Sequence, residues 1–167
     1  YQVMILLIIQ QLSLLMRELI TGLTNKNKDT NMNSWQEAIH LLEKGEIRSA
    51  NKDDNGKWVA NTKVKEEILN AFRAGELKEM SDTHFHGFVD KHNLPARSFT
   101  PENKVRMVPG GSSVRAGSYV AEGVIIMPPA YINIGAFVDT GSMIDSHALV
   151  GSCAQIGKNV HISAGVQ

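Results

Sequence analysis

From Val108 to Ile162 the chain sets β-branched aliphatic residues six apart without a break. The series is Val108, Val114, Val120, Ile126, Ile132, Val138, Ile144, Val150, Ile156 and Ile162. A unit of six is too short for a helix pair or a propeller blade, and it fits a short strand followed by a tight corner. Six is even, so every strand can turn the same face inward. β-Branched residues suit that pleated, buried surface. Four residues after each member comes a small residue: Ser112, Ser118, Val124, Ala130, Ala136, Ser142, Ala148, Ala154, Val160 and Val166. Three after each comes Gly111, Gly117, Gly123, Gly135, Gly141, Asn159 or Gly165, with Pro129, His147 and Cys153 as exceptions. Gly and Asn tolerate the positive φ that tight corners need. Stacking such units aligns the aliphatic residues in ladders, and each buried Val or Ile contributes about 1.5–3 kcal/mol. The pattern predicts a parallel β-helix of hexapeptides. The period alone leaves its hand open.

The composition fits this reading: Gly numbers 14 while aromatics are only 6% of the 167 residues. Lys plus Arg number 17 and Asp plus Glu 17, a balance that excludes a generally basic nucleic-acid binder. The single cysteine, Cys153, excludes a disulfide framework within the chain and a cysteine-built zinc cluster. It fits a reducing compartment.

Residues 1–33 form an apolar segment and a polar linker. The run Val3 to Ile9 is too short and too soon interrupted for a membrane span, and no signal-peptide pattern is visible. A packed or oligomer-contacting helix is expected there. Residues 34–105 read as a small helical domain with a short hairpin and an irregular connection. Ser34 and Glu37 have capping-box spacing, Ile39, Leu41 and Leu42 give an apolar side, and Gly45 can end the helix. Asn55-Gly56 predicts a two-residue hairpin turn before Trp58 and Val59. Thr62 is expected to cap a second helix running to about Ala74, with Val64, Ile68, Leu69 and Phe72 as its buried stripe and Gly75 as its stop. Residues 76–105 read as irregular, with turn signals at Gly87 and Pro95. Residues 106–167 hold the β-helix.

Several motifs go beyond the bare period. They are Arg106-Met-Val-Pro109, the run Tyr131 to Asp139, Gly141-Ser-Met-Ile-Asp145 and Gly151-Ser-Cys-Ala-Gln-Ile-Gly-Lys-Asn-Val-His161. On these residues the chain resembles the hexapeptide-repeat acyltransferases, and among them the tetrahydrodipicolinate N-succinyltransferase family. The likeness covers about residues 34–167 and is loose between Gly45 and Phe72. It implies a left-handed β-helix with three hexapeptides per coil. It also implies transfer of a succinyl group from succinyl-CoA to the amino group of tetrahydrodipicolinate in lysine and diaminopimelate biosynthesis. The expected enzyme is a cytoplasmic homotrimer with its cleft between subunits. It has no permanent cofactor, no metal and no nucleic-acid or membrane partner.

The family's substrate-contacting arginine and aspartate fall on Arg106 and Asp145. An arginine can clamp a carboxylate of the acceptor with two parallel hydrogen bonds. Asp145 would hold the acceptor amine and take its proton. A free aspartate, near 3.9, is a weak base at pH 7; burial against the β-helix is a factor that could raise it, and the sequence leaves its size open. Asp145 also stands where corner residues are common, so a turn role competes, and Asp139 one hexapeptide earlier is read as structural. His147 is weighed as a substrate contact and Ser152 as a hydrogen-bond donor in the cleft. His161 is read as structural and Cys153 as packed. His84 and His86 are a bare H-x-H pair without a third ligand.

Only Arg115 and Lys158 are basic between Val108 and Gln167, too few to name the coenzyme's phosphate contacts. The chain stops inside a coil, and the expectation is a piece lacking its C-terminal coils. Three rivals remain: an acetyl-CoA enzyme of the same fold, a β-helical zinc enzyme of the carbonic anhydrase type, and a non-catalytic scaffold.

Overall fold

A computed structural model describes residues 34–80 and 87–167. The apolar run Val3 to Ile9, the linker and the His84/His86 pair lie outside the described residues. Helix α1 spans Trp35–Glu43, and Ser34 caps it by accepting the Glu37 N–H. Ala38, Ile39 and Leu42 are its buried side. Strands β1 (Ala50–Lys52) and β2 (Trp58–Ala60) form an antiparallel hairpin. Its loop is not the expected two-residue Asn-Gly turn. Lys52 pairs with Trp58, and Asp53 organises the loop: its Oδ1 accepts the N–H groups of Asn55 and Lys57 at 3.0 and 2.9 Å. An aspartate side chain that mimics a backbone turn has overridden the dipeptide signal.

Helix α2 spans Thr62–Ala74, and its cap is Asn61, not Thr62: Asn61 Oδ1 accepts the Val64 N–H at 3.2 Å. Its buried stripe is Val64, Ile68 and Ala71, while Leu69 is exposed. The 4-then-3 spacing keeps one side of the helix inward, and Leu69 falls off it. The stretch expected to be irregular contains a second antiparallel hairpin, β3 (Leu77–Glu79) with β4 (Val89–Lys91), and a 3₁₀ turn at Pro101–Asn103.

Then comes a β-solenoid of about three turns, built of two-residue strands: β5 (Arg106–Met107), β6 (Ser113–Val114), β7 (Tyr119–Val120), β8 (Ile125–Ile126), β9 (Tyr131–Ile132), β10 (Phe137–Val138), β11 (Met143–Ile144), β12 (Leu149–Val150), β13 (Gln155–Ile156) and β14 (His161–Ile162). They stack in parallel on three faces. One holds β7, β10 and β13, the Tyr119 face. The second holds β5, β8, β11 and β14, the Arg106 face. The third holds β6, β9 and β12, the Ser113 face. Val120 stacks on Val138 and Val138 on Ile156, a step of eighteen. The first residue of each strand points out and the second in, so Val114, Ile126, Ile132, Val138 and Ile144 are fully buried.

The ladder starts one residue earlier than the period suggests. Met107, not Val108, stacks on Ile126, a step of nineteen. The extra residue lies between Met107 and Val114, in the Pro109-Gly110-Gly111 loop. A one-residue slip turns a strand's side chains over, so the core receives Met107.

The small series fills the corners. Ser118 and Ser142 are fully buried there and hydrogen-bonded: Ser142 Oγ donates to Gly157 O at 2.7 Å and accepts the Val160 N–H at 3.0 Å. The exceptions to the glycine series adopt the same backbone as the glycines, with φ of 61° at His147 and 63° at Cys153. Pro129 instead follows a cis peptide bond.

Candidate functional site

The three corners of the solenoid share one device. Asn133, Asp139 and Asp145 each follow an inward residue. Each accepts the N–H of the next residue on its Oδ1, at 2.8, 2.8 and 2.7 Å. This side-chain turn is the structural role weighed for Asp145, and all three positions perform it.

Asp145 does one thing more. Its second oxygen, Oδ2, lies 3.1 Å from Nε2 of His161. The two residues are sixteen apart in sequence, and the coil brings them together: His161 stacks on Met143, and Asp145 lies two residues beyond Met143. The Ser146 N–H and then His161 hold the Asp145 carboxyl below its ordinary value. Burial, which the sequence left open as a cause of a raised value, works in the opposite direction and is outweighed. Two donors to the charged form outweigh desolvation at a corner that is not deeply buried. Asp145 is therefore ionised at neutral pH, suited to holding a cation or an amine and poorly suited to taking a proton.

Arg106 is exposed on the same face. It stacks on Ile125, and Ile125 on Met143, so the strands carrying Arg106 and leading to Asp145 are two steps apart, about 10 Å. Ile125 and Met143, partly buried, form an apolar floor between them. His147 is exposed at the same corner as Asp145, and its N–H donates to Pro129 O at 2.6 Å. Ser152 is exposed at a different corner, the one shared with Cys153. Thus Arg106, Asp145 and His147 share one face and its edge, and Ser152 does not join them within the chain. Among the described residues no cluster of three His, Cys, Asp or Glu side chains could hold a metal ion. No described helix is long and apolar enough to cross a membrane.

The Tyr119 face carries the helical region. Arg48 lies 3.6 Å over the Phe137 ring, and its Nε donates to Gln155 Oε1 at 2.8 Å. Burial pulls the Arg48 guanidinium below its ordinary value, with Asp139 opposing. Ser49 Oγ donates to Gly135 O at 2.8 Å, and Glu43 Oε1 accepts the Gly117 N–H at 2.8 Å. The Ser-Cys-Ala-Gln stretch thus supplies Gln155 to this docking surface.

A family model described as tetrahydrodipicolinate N-succinyltransferase N-terminal matches residues 16–74. A 2,3,4,5-tetrahydropyridine-2,6-dicarboxylate N-succinyltransferase of Pelagibacter ubique is 39% identical over 94 residues, 53% of this chain and 34% of the relative. The protein of that name from Nitrosococcus oceani is 45% identical over 88 residues, 50% of this chain and 31% of the relative. A third, from Paramagnetospirillum magneticum, is 40% identical over 70 residues, 42% of this chain and 25% of the relative.

Over about half of its length the chain is similar to tetrahydrodipicolinate N-succinyltransferases.

Its match to these relatives spans about a third of their length or less. Within the family's motifs, His161 is the residue whose contact sequence reasoning missed. The signal was present in the coil length: eighteen residues after Met143 comes His161.

Proposed function

We propose that this chain supplies the acceptor side of an acyltransferase site. The reaction moves a succinyl group from succinyl-CoA to the amino group of tetrahydrodipicolinate, in its ring-opened 2-amino-6-oxopimelate form. This places the protein in lysine and diaminopimelate biosynthesis in the cytoplasm, with a left-handed coil and a trimeric assembly whose clefts lie between neighbouring subunits. The observation that carries the reading is the identity of 39–45% to three N-succinyltransferases over about half of the chain.

The acceptor is a dicarboxylate with an amine, so its site needs a cation and an anion at a separation. Arg106 clamps a carboxylate, and Asp145, ionised and fixed on its corner, holds the amine. Asp145 has lone pairs to spare: an ionised carboxylate offers about four acceptor sites, and Ser146 and His161 use two. The neutral amine nitrogen attacks the thioester carbonyl, a C–N bond forms, the C–S bond breaks, and the proton the nitrogen loses ends on the sulfur as the coenzyme leaves as its thiol. His147 at the same corner is a secondary acceptor contact, and Ser152 a donor brought to the cleft from another corner.

The test is steady-state kinetics in the longest natural chain that carries this sequence. Succinyl-CoA is expected to be used in preference to acetyl-CoA. Arg106→Ala should raise the KM for the dicarboxylate acceptor by about 10–100-fold, the value of one charge-assisted contact, and leave the KM for succinyl-CoA alone. An unchanged acceptor KM removes Arg106 from the site.

A further inference from the structure

The geometry points to His161 as the positioning residue of the acceptor site: its Nε2–H fixes the free oxygen of Asp145, so that the carboxylate presents its remaining lone pairs to the acceptor amine. This rests on the reading of Asp145 above and adds a residue to it.

Three observations carry it. Asp139 and Asn133 occupy the same repeat position as Asp145 and make the same turn bond, yet neither has a second hydrogen bond from a histidine. A turn therefore needs only Oδ1, and the engagement of Oδ2 is an addition specific to Asp145. Second, His161 is the outward residue of β14, stacked on Met143 with Met143 on Ile125 and Ile125 on Arg106. Arg106 and His161 thus bracket one face, and the Asp145 corner opens from it. Third, a carboxylate tied at both oxygens cannot swing about its χ2 bond, whereas one held at a single oxygen can. A site that must place an amine against a thioester gains from that restriction, because misplacement by about 1 Å costs about 10²-fold. The charged and titratable side chains on this face and its edges are Arg106, Asp145, His147 and His161, with the Lys104–Glu122 ion pair, Asp139 and Lys158 in the turns that lead into its strands.

The prediction separates donor from bulk. Glutamine can place an N–H where Nε2 stands, and leucine cannot. In the longest natural chain carrying this sequence, His161→Leu should raise the acceptor KM by about 10-fold, with kcat and the KM for succinyl-CoA changing less. His161→Gln should recover most of that loss. A second readout needs no turnover. By carbon-detected NMR titration, the Asp145 carboxyl should titrate at higher pH in His161→Leu than in the parent, and near the parent value in His161→Gln. An acceptor KM that stays at the parent value in His161→Leu overturns the positioning role, as does an Asp145 titration that does not move. A parent that transfers no succinyl group to the dicarboxylate overturns the acyltransferase reading instead, and the positioning role with it.

Discussion

Two faces of the same solenoid are built from one repeat and end up with opposite uses. On the Tyr119 face the outward residues are Tyr119, Phe137 and Gln155, and the helical region lies over them. The Tyr119 and Phe137 rings sit 4.5 Å apart, with the Arg48 guanidinium on Phe137. On the Arg106 face the outward residues are Arg106, Ile125, Met143 and His161, with Asp145 at the edge. The inward ladder is nearly indistinguishable between the two. The hexad therefore dictates the scaffold, and the outward position of each strand dictates what the scaffold carries. Rings and a hydrogen-bonding amide attract a packed domain. A cation, an ionised carboxylate and an imidazole around an apolar strip suit a small charged ligand.

Glycine substitutions at two corners break this comparison in its structural half. Gly135 and Gly123 both hold positive φ, 74° and 77°. A Cβ at Gly135 would stand 2.8 Å from Ser49 Oγ and 2.9 Å from both Cys153 Sγ and Ile68 Cδ1, atoms partly of the docked helical region. At Gly123 the nearest atom is a backbone nitrogen at 3.5 Å. Gly123→Ala should cost about 1–2 kcal/mol from the backbone conformation alone. Gly135→Ala should cost about 1–3 kcal/mol more through overpacking. Chemical denaturation of the two variants measures the difference, and equal losses would mean that the helical region does not press on that corner.

A smaller effect sharpens the functional half. Folding lowers the Asp145 carboxyl below its unfolded value. Such a group stabilises the fold above the ordinary carboxylate range, near 3.9, and that contribution fades as pH falls through the lowered folded value. The parent should melt above Asp145→Asn at pH 7, and the gap should close below about pH 4. Thermal melts across pH check this; a gap that persists in acid would assign the difference to something other than the ionised carboxylate.

The scaffold was legible because a buried ladder repeats the same demand at every sixth residue, and from Val114 to Ile162 a β-branched aliphatic meets it each time. The start of the ladder was not, because Met107 and Val108 are both apolar. Only the stacking of Met107 on Ile126 reveals the extra residue in the Pro109–Gly111 loop. The first hairpin misled for a similar reason: Asn55-Gly56 is a strong local signal, but Asp53 closes the loop with its side chain from outside the dipeptide. Arg106 and Asp145 were legible through the family's motifs and came out on one face. Their chemistry was not legible in full, since the depressed titration of Asp145 comes from the Ser146 N–H and then from His161, a residue one coil away.

The central claim is that Asp145 does more than its repeat-mates. Asp139→Asn and Asp145→Asn remove the same charge from the same repeat position, and an asparagine keeps the turn bond at both, as Asn133 does. Succinyl transfer to the dicarboxylate acceptor, measured side by side in the longest natural chain carrying this sequence, decides the matter. The account predicts a loss of about 10²-fold in kcat/KM for Asp145→Asn and a change within about 2-fold for Asp139→Asn. Equal effects at the two positions, large or small, would contradict it.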